Sequence, residues 1–435
     1  VPRLITRAVV VLSILLGRGP AVGEAPVGYY QQPALHGDTV VFVAEGDLWK
    51  APVNDSAAVR LTTHPSDETH PAISPDGELV AFVARYEGPA EVYTMSIDGG
   101  RPTRRTYGID TARVVGWTPA GDVLFSTDVY ATLPSWQLVT MDISRQDIAG
   151  IRTLVPLAQA ADGSYDETGT TLFFTRLPFQ GSHAKRYKGG TAQNIWRFTE
   201  GDAEATPLTA DYPGTSKRPM WWRDRVYFAS DRDGTMNLWS MDEDGDDLEQ
   251  HTEHAGWDVK APSLHDGRII YQLGADLRLY DIPADRDRLL EITLSSDLDH
   301  TREHWIAKPM DYLTAAHISP DGDRVALTAR GRVFVAPHRQ GRLVEATRRE
   351  GVRYRHARFM PDGEQLAVLS DESGEVELWT LPANGVGPGA QLTRGAEVLR
   401  WQGIPSPDGR WIAHYDKNQR LFLLDLETNE DRLID

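Results

Sequence analysis

At 435 residues the chain exceeds the roughly 250–300 residues at which a single hydrophobic core stops growing, so two domains are expected. Its 45 Lys and Arg against 63 Asp and Glu leave a formal net charge of -18, which argues against nucleic acid as a partner because phosphate binding needs concentrated cations. The chain has no cysteine, which removes disulfides and thiol chemistry, and no basic amphipathic segment marks it for a membrane surface.

Residues 1–25 stand apart. Arg3 and Arg7 precede the apolar run Ala8 to Leu16, and Ala21-Val22-Gly23 offers a small-residue cleavage site, so an exported chain is expected, periplasmic or secreted. The run is broken by Gly17, Arg18 and Pro20 and falls short of the ~20 apolar residues of a membrane span. No span is therefore expected once the leader is removed.

From residue 28 onward one pattern recurs. Ser74-Pro75-Asp76-Gly77 leads into Leu79-Val80-Ala81-Phe82-Val83, then Val92-Tyr93, then Asp98-Gly99-Gly100, in a pattern whose units close on a strand ending in Leu-Thr. In the turn, Pro75 presets φ, Ser74 and Asp76 bond the backbone, and Gly77 tolerates the exit. Ser319-Pro320-Asp321-Gly322, Met360-Pro361-Asp362-Gly363 and Ser406-Pro407-Asp408-Gly409 repeat it, with starts separated by 41 residues (319 to 360) and 46 residues (360 to 406). That period fits a four-stranded propeller blade, and the runs after each turn are too short and too β-branched for helix. Aliphatic–aromatic pairs mark the third strand: Leu48-Trp49, Val92-Tyr93, Ile195-Trp196, Leu238-Trp239, Leu279-Tyr280, Val333-Phe334, Leu378-Trp379 and Leu421-Phe422. Alternation sends the two members of a pair to opposite faces, so each belongs to a different contact between blades.

The units fall at about 33–66, 70–107, 113–156, 162–210, 216–255 and 258–293, and resume near 313, 355 and 399. The expected fold is all-β: a six-bladed β-propeller over 28–294, a polar link over 295–312, and a partial, about three-blade second β-propeller over 313–435. Rings close with about four to eight blades, so the second is expected to be unfinished at Asp435 and to continue in further sequence.

The search for chemistry returns few candidates. There is no Gly-x-Ser-x-Gly elbow, no Ser, His and Asp stand out as a triad, and no catalytic residue is assigned. His300-Thr301-Arg302-Glu303-His304 matches the order of inverted zinc peptidases, but it lies in the polar link near Trp305 and Pro309 without a third ligand and reads as a connection. Asp242-Glu243-Asp244-Gly245-Asp246-Asp247 reads as a solvated hairpin turn instead of a calcium loop. No metal and no cofactor is expected.

Several segments carry a family resemblance. Gly28-Tyr29-Tyr30 with Pro33-Ala34, Gly46-Asp47-Leu48-Trp49, Lys188-Gly189-Gly190-Thr191 before Ile195-Trp196, Ser230-Asp231-Arg232-Asp233-Gly234 before Asn237-Leu238-Trp239, and Gly256-Trp257-Asp258-Val259 together resemble the first propeller of tricorn-type proteases. The Ser-Pro-Asp-Gly turns alone are shared with TolB-like and prolyl-oligopeptidase propellers. The resemblance implies a six-bladed ring followed by a seven-bladed one, then a PDZ-like module between domains that carry a serine peptidase site. The propellers would act as channels and filters for peptides. It also implies an arginine pair that anchors a peptide carboxylate. Thr111-Ala112-Arg113-Val114-Val115-Gly116-Trp117 supplies one arginine there, Arg113, and the neighbouring Arg104-Arg105 does not match position by position. The favoured function is thus the non-catalytic front portion of a secreted tricorn-like serine peptidase. Its expected partners are peptides or unfolded polypeptide, catalytic domains of the same chain, and further copies of itself. The alternative is a self-sufficient TolB-like periplasmic scaffold that binds a protein partner.

Overall fold

The computed structural model describes residues 28–435 except 133–134, 145–150, 180–184, 298–304, 307 and 348. The expected leader at 1–25 and the His300 to His304 motif lie outside the described residues. Two compact units divide between Thr301 and Arg302.

Among the described residues the first unit contains six antiparallel sheets, and the innermost strands of the six are Gln31–His36, Glu68–Ile73, Arg113–Trp117, Asp162–Tyr165, Ser216–Trp222 and Val259–His265. The four main strands of each sheet are consecutive, so local turns set the register. The Ser74 turn shows how. The Gly77 N–H bonds the Ser74 carbonyl at 2.9 Å with Gly77 at φ 79°, and Ser74 Oγ accepts the Leu79 N–H at 2.9 Å, aligning the next strand. Ser319 and Ser406 repeat the second bond to Arg324 and Trp411.

The threonines that end the units have a specific use. Thr62, Thr106, Thr209 and Thr252 each turn a buried hydroxyl onto the N–H of the aliphatic member of the third-strand pair, Leu48, Val92, Ile195 and Leu238, at 2.8–2.9 Å. The N–H would otherwise be stranded in apolar surroundings, where an unmet donor costs about 1–3 kcal/mol.

The pairs divide between cores as alternation requires. Leu48 packs with Val80 and Phe82 of the second sheet, while Trp49 packs with Ile270 and Leu277 of the sixth. Leu279 joins that same core, which lies between the last sheet and the first, and Tyr280 turns back to the fifth. Successive sheets thus share buried cores all the way round, and the sixth sheet packs on the first. A short strand, Thr293–Leu294, adds to this seam by pairing in parallel with Ala57 and Ala58 of the first sheet.

The second unit opens with a 3-10 turn at Pro309–Tyr312 and contains, among the described residues, three further four-stranded sheets. Thr347 and Thr393 hold Val333 and Leu378 as their counterparts do in the first unit, at 3.0 and 2.9 Å. Val333, Phe359 and Trp379 fill the core between its first two sheets, and Leu378, Ile412 and Leu424 the next. Ile318 of its first sheet and Ile404, Tyr415 and Leu421 of its third are exposed.

The architecture is all-β and of propeller type. No helix among the described residues is long and apolar enough to cross a membrane.

Candidate functional site

In each sheet of the first unit the innermost strand is an edge, unpaired on one side. Six such edges line one cavity of about 650 Å³, with walls that run from Gln32, His70 and Asp162 to turn residues such as Pro75, Glu167 and Asp266. Its wider part is apolar and aromatic, with Trp117, Tyr165, Trp221 and Trp222. A narrower space of about 170 Å³ shares His70, Asp162 and Arg218 with it and adds Arg113, Lys217 and Lys260.

Local backbone geometry sends these side chains inward. Four of the innermost strands bulge near their start and hold a non-glycine residue at positive φ: Gln32 at 48°, His70 at 54°, Arg218 at 57° and Ala261 at 45°. A bulge re-aims a side chain that regular alternation would place elsewhere. Arg113 and Asp162 begin the third and fourth innermost strands, so the same end of the ring collects charge from several sheets.

The charges at this end are unequal. Arg218 pairs with Asp162, Nε to Oδ2 at 3.3 Å, and Arg218 Nη1 donates to Asp162 Oδ1 at 3.3 Å. Arg113 lies with its guanidinium 4.4 Å from the centre of the Trp136 ring, and no carboxylate comes within 4.0 Å of it among the described residues. Burial, and then the Arg218 charge, holds its pKa below the usual arginine value. Lys217 is shifted the same way, first by burial and then by Arg218. His70 is driven down to about 3 by burial and by Arg218 and Arg113, so its imidazole is neutral near pH 7, and its buried Nδ1 has no hydrogen-bond partner. Two guanidiniums, the ammoniums of Lys217 and Lys260 and an unpartnered ring nitrogen thus line a small space with one carboxylate. Such a site favours an anion, and a guanidinium forks two bonds onto a carboxylate.

Arg113, the one binding residue expected from sequence, is at this place. Arg104 is not: it pairs with Glu91 at 2.9 Å and with Glu87, while Arg105 Nε donates to Thr94. The acidic turn at 242–247 is tied down by Arg197 to Asp244 and Arg225 to Asp247 ion pairs, both at 2.6 Å. No group of three His, Asp or Glu positioned for a metal occurs among the described residues. Lys217, Arg218, His70 and Asp162 escaped sequence reading. Their only signal is register: all fall within the first three residues of an innermost strand, as Arg113 does.

Four-stranded sheets arranged about a common cavity with a cationic end define the class as a β-propeller. The model of the tricorn protease N-terminal beta propeller domain matches residues 27–286, and the chain belongs to the tricorn protease family. Tricorn protease homolog 1 of Streptomyces coelicolor is 32% identical over 427 residues, covering 94% of this chain and 39% of its own length. A crystal structure of the tricorn protease superposes with a TM-score of 0.70 at 21% identity, covering 94% of this chain and 40% of that one. A putative TolB from Agrobacterium tumefaciens is a weaker neighbour, with a TM-score of 0.30 and 16% identity over 60% of this chain and 80% of its own. The chain therefore spans about two-fifths of the tricorn relatives it matches.

Proposed function

We propose that these residues form the non-catalytic N-terminal propeller portion of a tricorn-like serine peptidase, a wall and filter for peptides on their way to or from catalytic domains. In this reading residues 28–294 make a closed six-bladed ring, 295–312 link it onward, and 313–435 begin a second ring. Exposed Ile404, Tyr415 and Leu421 support further sheets packing against the third sheet of that unit. The leader at 1–25 directs export to the periplasm or beyond.

The observation that carries the proposal is the convergence of Arg113, Lys217 and Arg218 on the axial cavity with Asp162 as their neighbouring carboxylate. Arg113 grips the carboxylate end of a peptide. Where the family pattern has a second adjacent arginine, Arg218 supplies another guanidinium from a different sheet, and Asp162 holds it in place.

Calorimetric titration with a short free-acid peptide and its C-terminal amide tests this. The free acid is expected to bind at least about tenfold more tightly, and Arg113→Ala to erase the difference without altering the circular dichroism spectrum. Equal binding of acid and amide to the unaltered chain would remove the anchoring role.

A further inference from the structure

A passing polypeptide meets six strand edges, and an exposed edge is a ready template for strand addition. In the first unit that template is broken on the first, second, fifth and sixth innermost strands. Proline follows the positive-φ residue in four of the six innermost strands, as Pro33, Pro71, Pro219 and Pro262, and all four line the cavity. Proline has no N–H to give a ladder. Other main-chain groups of the same strands are taken by side chains of a neighbouring sheet. The His70 N–H donates to Gln32 Oε1 at 2.6 Å, the Leu35 N–H to Ser263 Oγ at 3.3 Å, the Gly37 N–H to His265 Nδ1 at 3.0 Å, and the Trp221 N–H to Ser164 Oγ at 3.3 Å. Trp117 Nε1 donates to the Ala72 carbonyl at 3.0 Å, occupying an acceptor as well.

The prolines are not a requirement of the bulge. In the second unit His356 and Gln402 occupy the corresponding positions at φ 52° and 29°, and the residues that follow are Ala357 and Gly403. Whatever the bulge needs, alanine and glycine provide it there.

We infer that the first unit's channel wall is closed to strand addition, so that a polypeptide inside it is held by its carboxylate end and side chains and not by main-chain pairing. The inference rests on the peptide-channel reading above. A wall that refuses a ladder lets chains of any sequence move through without sticking, whereas a pairing edge would retain extended segments and seed aggregation.

The test uses the unaltered chain and three free-acid peptides of one sequence: unmodified, N-methylated on the odd amides, and N-methylated on the even amides. Each methylated peptide has lost the donors of one strand edge. All three are expected to bind within about twofold of one another, because a wall stripped of its own N–H groups sustains no ladder for the peptide amides to join. Weakening of either methylated peptide by about tenfold or more would overturn the inference and leave the carboxylate anchor standing. Failure of all three to bind would overturn the channel reading and this inference with it.

Discussion

One corner of the repeat is built twice with opposite electrostatics. In the first unit buried Asp47, Thr62 and Glu68 meet where the first sheet hands over to the second: Thr62 Oγ1 donates to Glu68 Oε2 at 2.7 Å and accepts the Leu48 N–H. In the second unit Glu377, Thr393 and Arg400 occupy the same places between its second and third sheets, and Arg400 Nε donates to Glu377 Oε2 at 3.0 Å. One corner therefore gathers two carboxyls, with Arg60 reaching only Asp47 of the two, at 3.3 Å, and the other pairs its carboxylate directly with a buried arginine. The shared threonine carries the geometry, and the charges around it are free to differ.

Four substitutions sharpen or break that comparison. The largest effect is expected from Glu377→Ala, which leaves Arg400 buried with Asp431 as its nearest remaining carboxylate at 3.3 Å. Breaking a buried pair from one side costs about 3–5 kcal/mol, and the exposed flank of Asp431 places the loss at the lower end. Denaturant unfolding of the variant measures it, and a change below ~1 kcal/mol would show that the pair is dispensable.

The acidic corner should respond to pH. Burial, with Asp47 adding to it, pushes the Glu68 carboxyl up to about 7, against opposing hydrogen bonds from Tyr86 and Thr62. The folded state then keeps a proton that the unfolded chain loses from about pH 4.5 upward. Its contribution is fully present below that value and disappears as pH rises through 7, an effect of up to about 3 kcal/mol. Glu68→Gln mimics the protonated carboxyl, so it should remove this decline and stabilise the chain at pH 8 relative to pH 5. Parallel pH–stability curves for the two proteins would refute the assignment.

The smallest effect belongs to the part the corners share. Thr62→Val keeps the shape, deletes the hydroxyl and leaves the Leu48 N–H without its 2.8 Å acceptor, for a loss of about 1–2 kcal/mol. Thr393→Val in the second unit should cost a similar amount. Thermal melts of both compare the two corners with the charge difference set aside, and unequal losses would mean that the charges reach the threonine after all.

Much of this fold was legible because it repeats. The Ser-Pro-Asp-Gly turns and the aliphatic–aromatic pairs have local causes, and a local cause leaves a local trace in sequence. Arg113 was legible only through a family pattern. Lys217 and Arg218 were not, since they come from a different sheet and meet Arg113 only when the ring forms. The bulges were hidden for another reason: Gln32, His70 and Arg218 adopt a conformation usually flagged by glycine, and nothing in their side chains announces it.

The seam of the first unit has a consequence for how its chain could be rewired. Tyr30 Oη donates to the Ile292 carbonyl at 2.7 Å, so the beginning and end of the first unit already lie side by side, and apart from the short Thr293–Leu294 strand on the first sheet every sheet is made of uninterrupted sequence. No sheet borrows its fourth strand from the opposite terminus. A short tether from residue 294 to residue 30 would fuse the two ends, and new termini could be opened in a connector such as 210–214 without dividing any sheet. If residues 28–294 close as proposed, a permuted gene should encode the same arrangement of sheets.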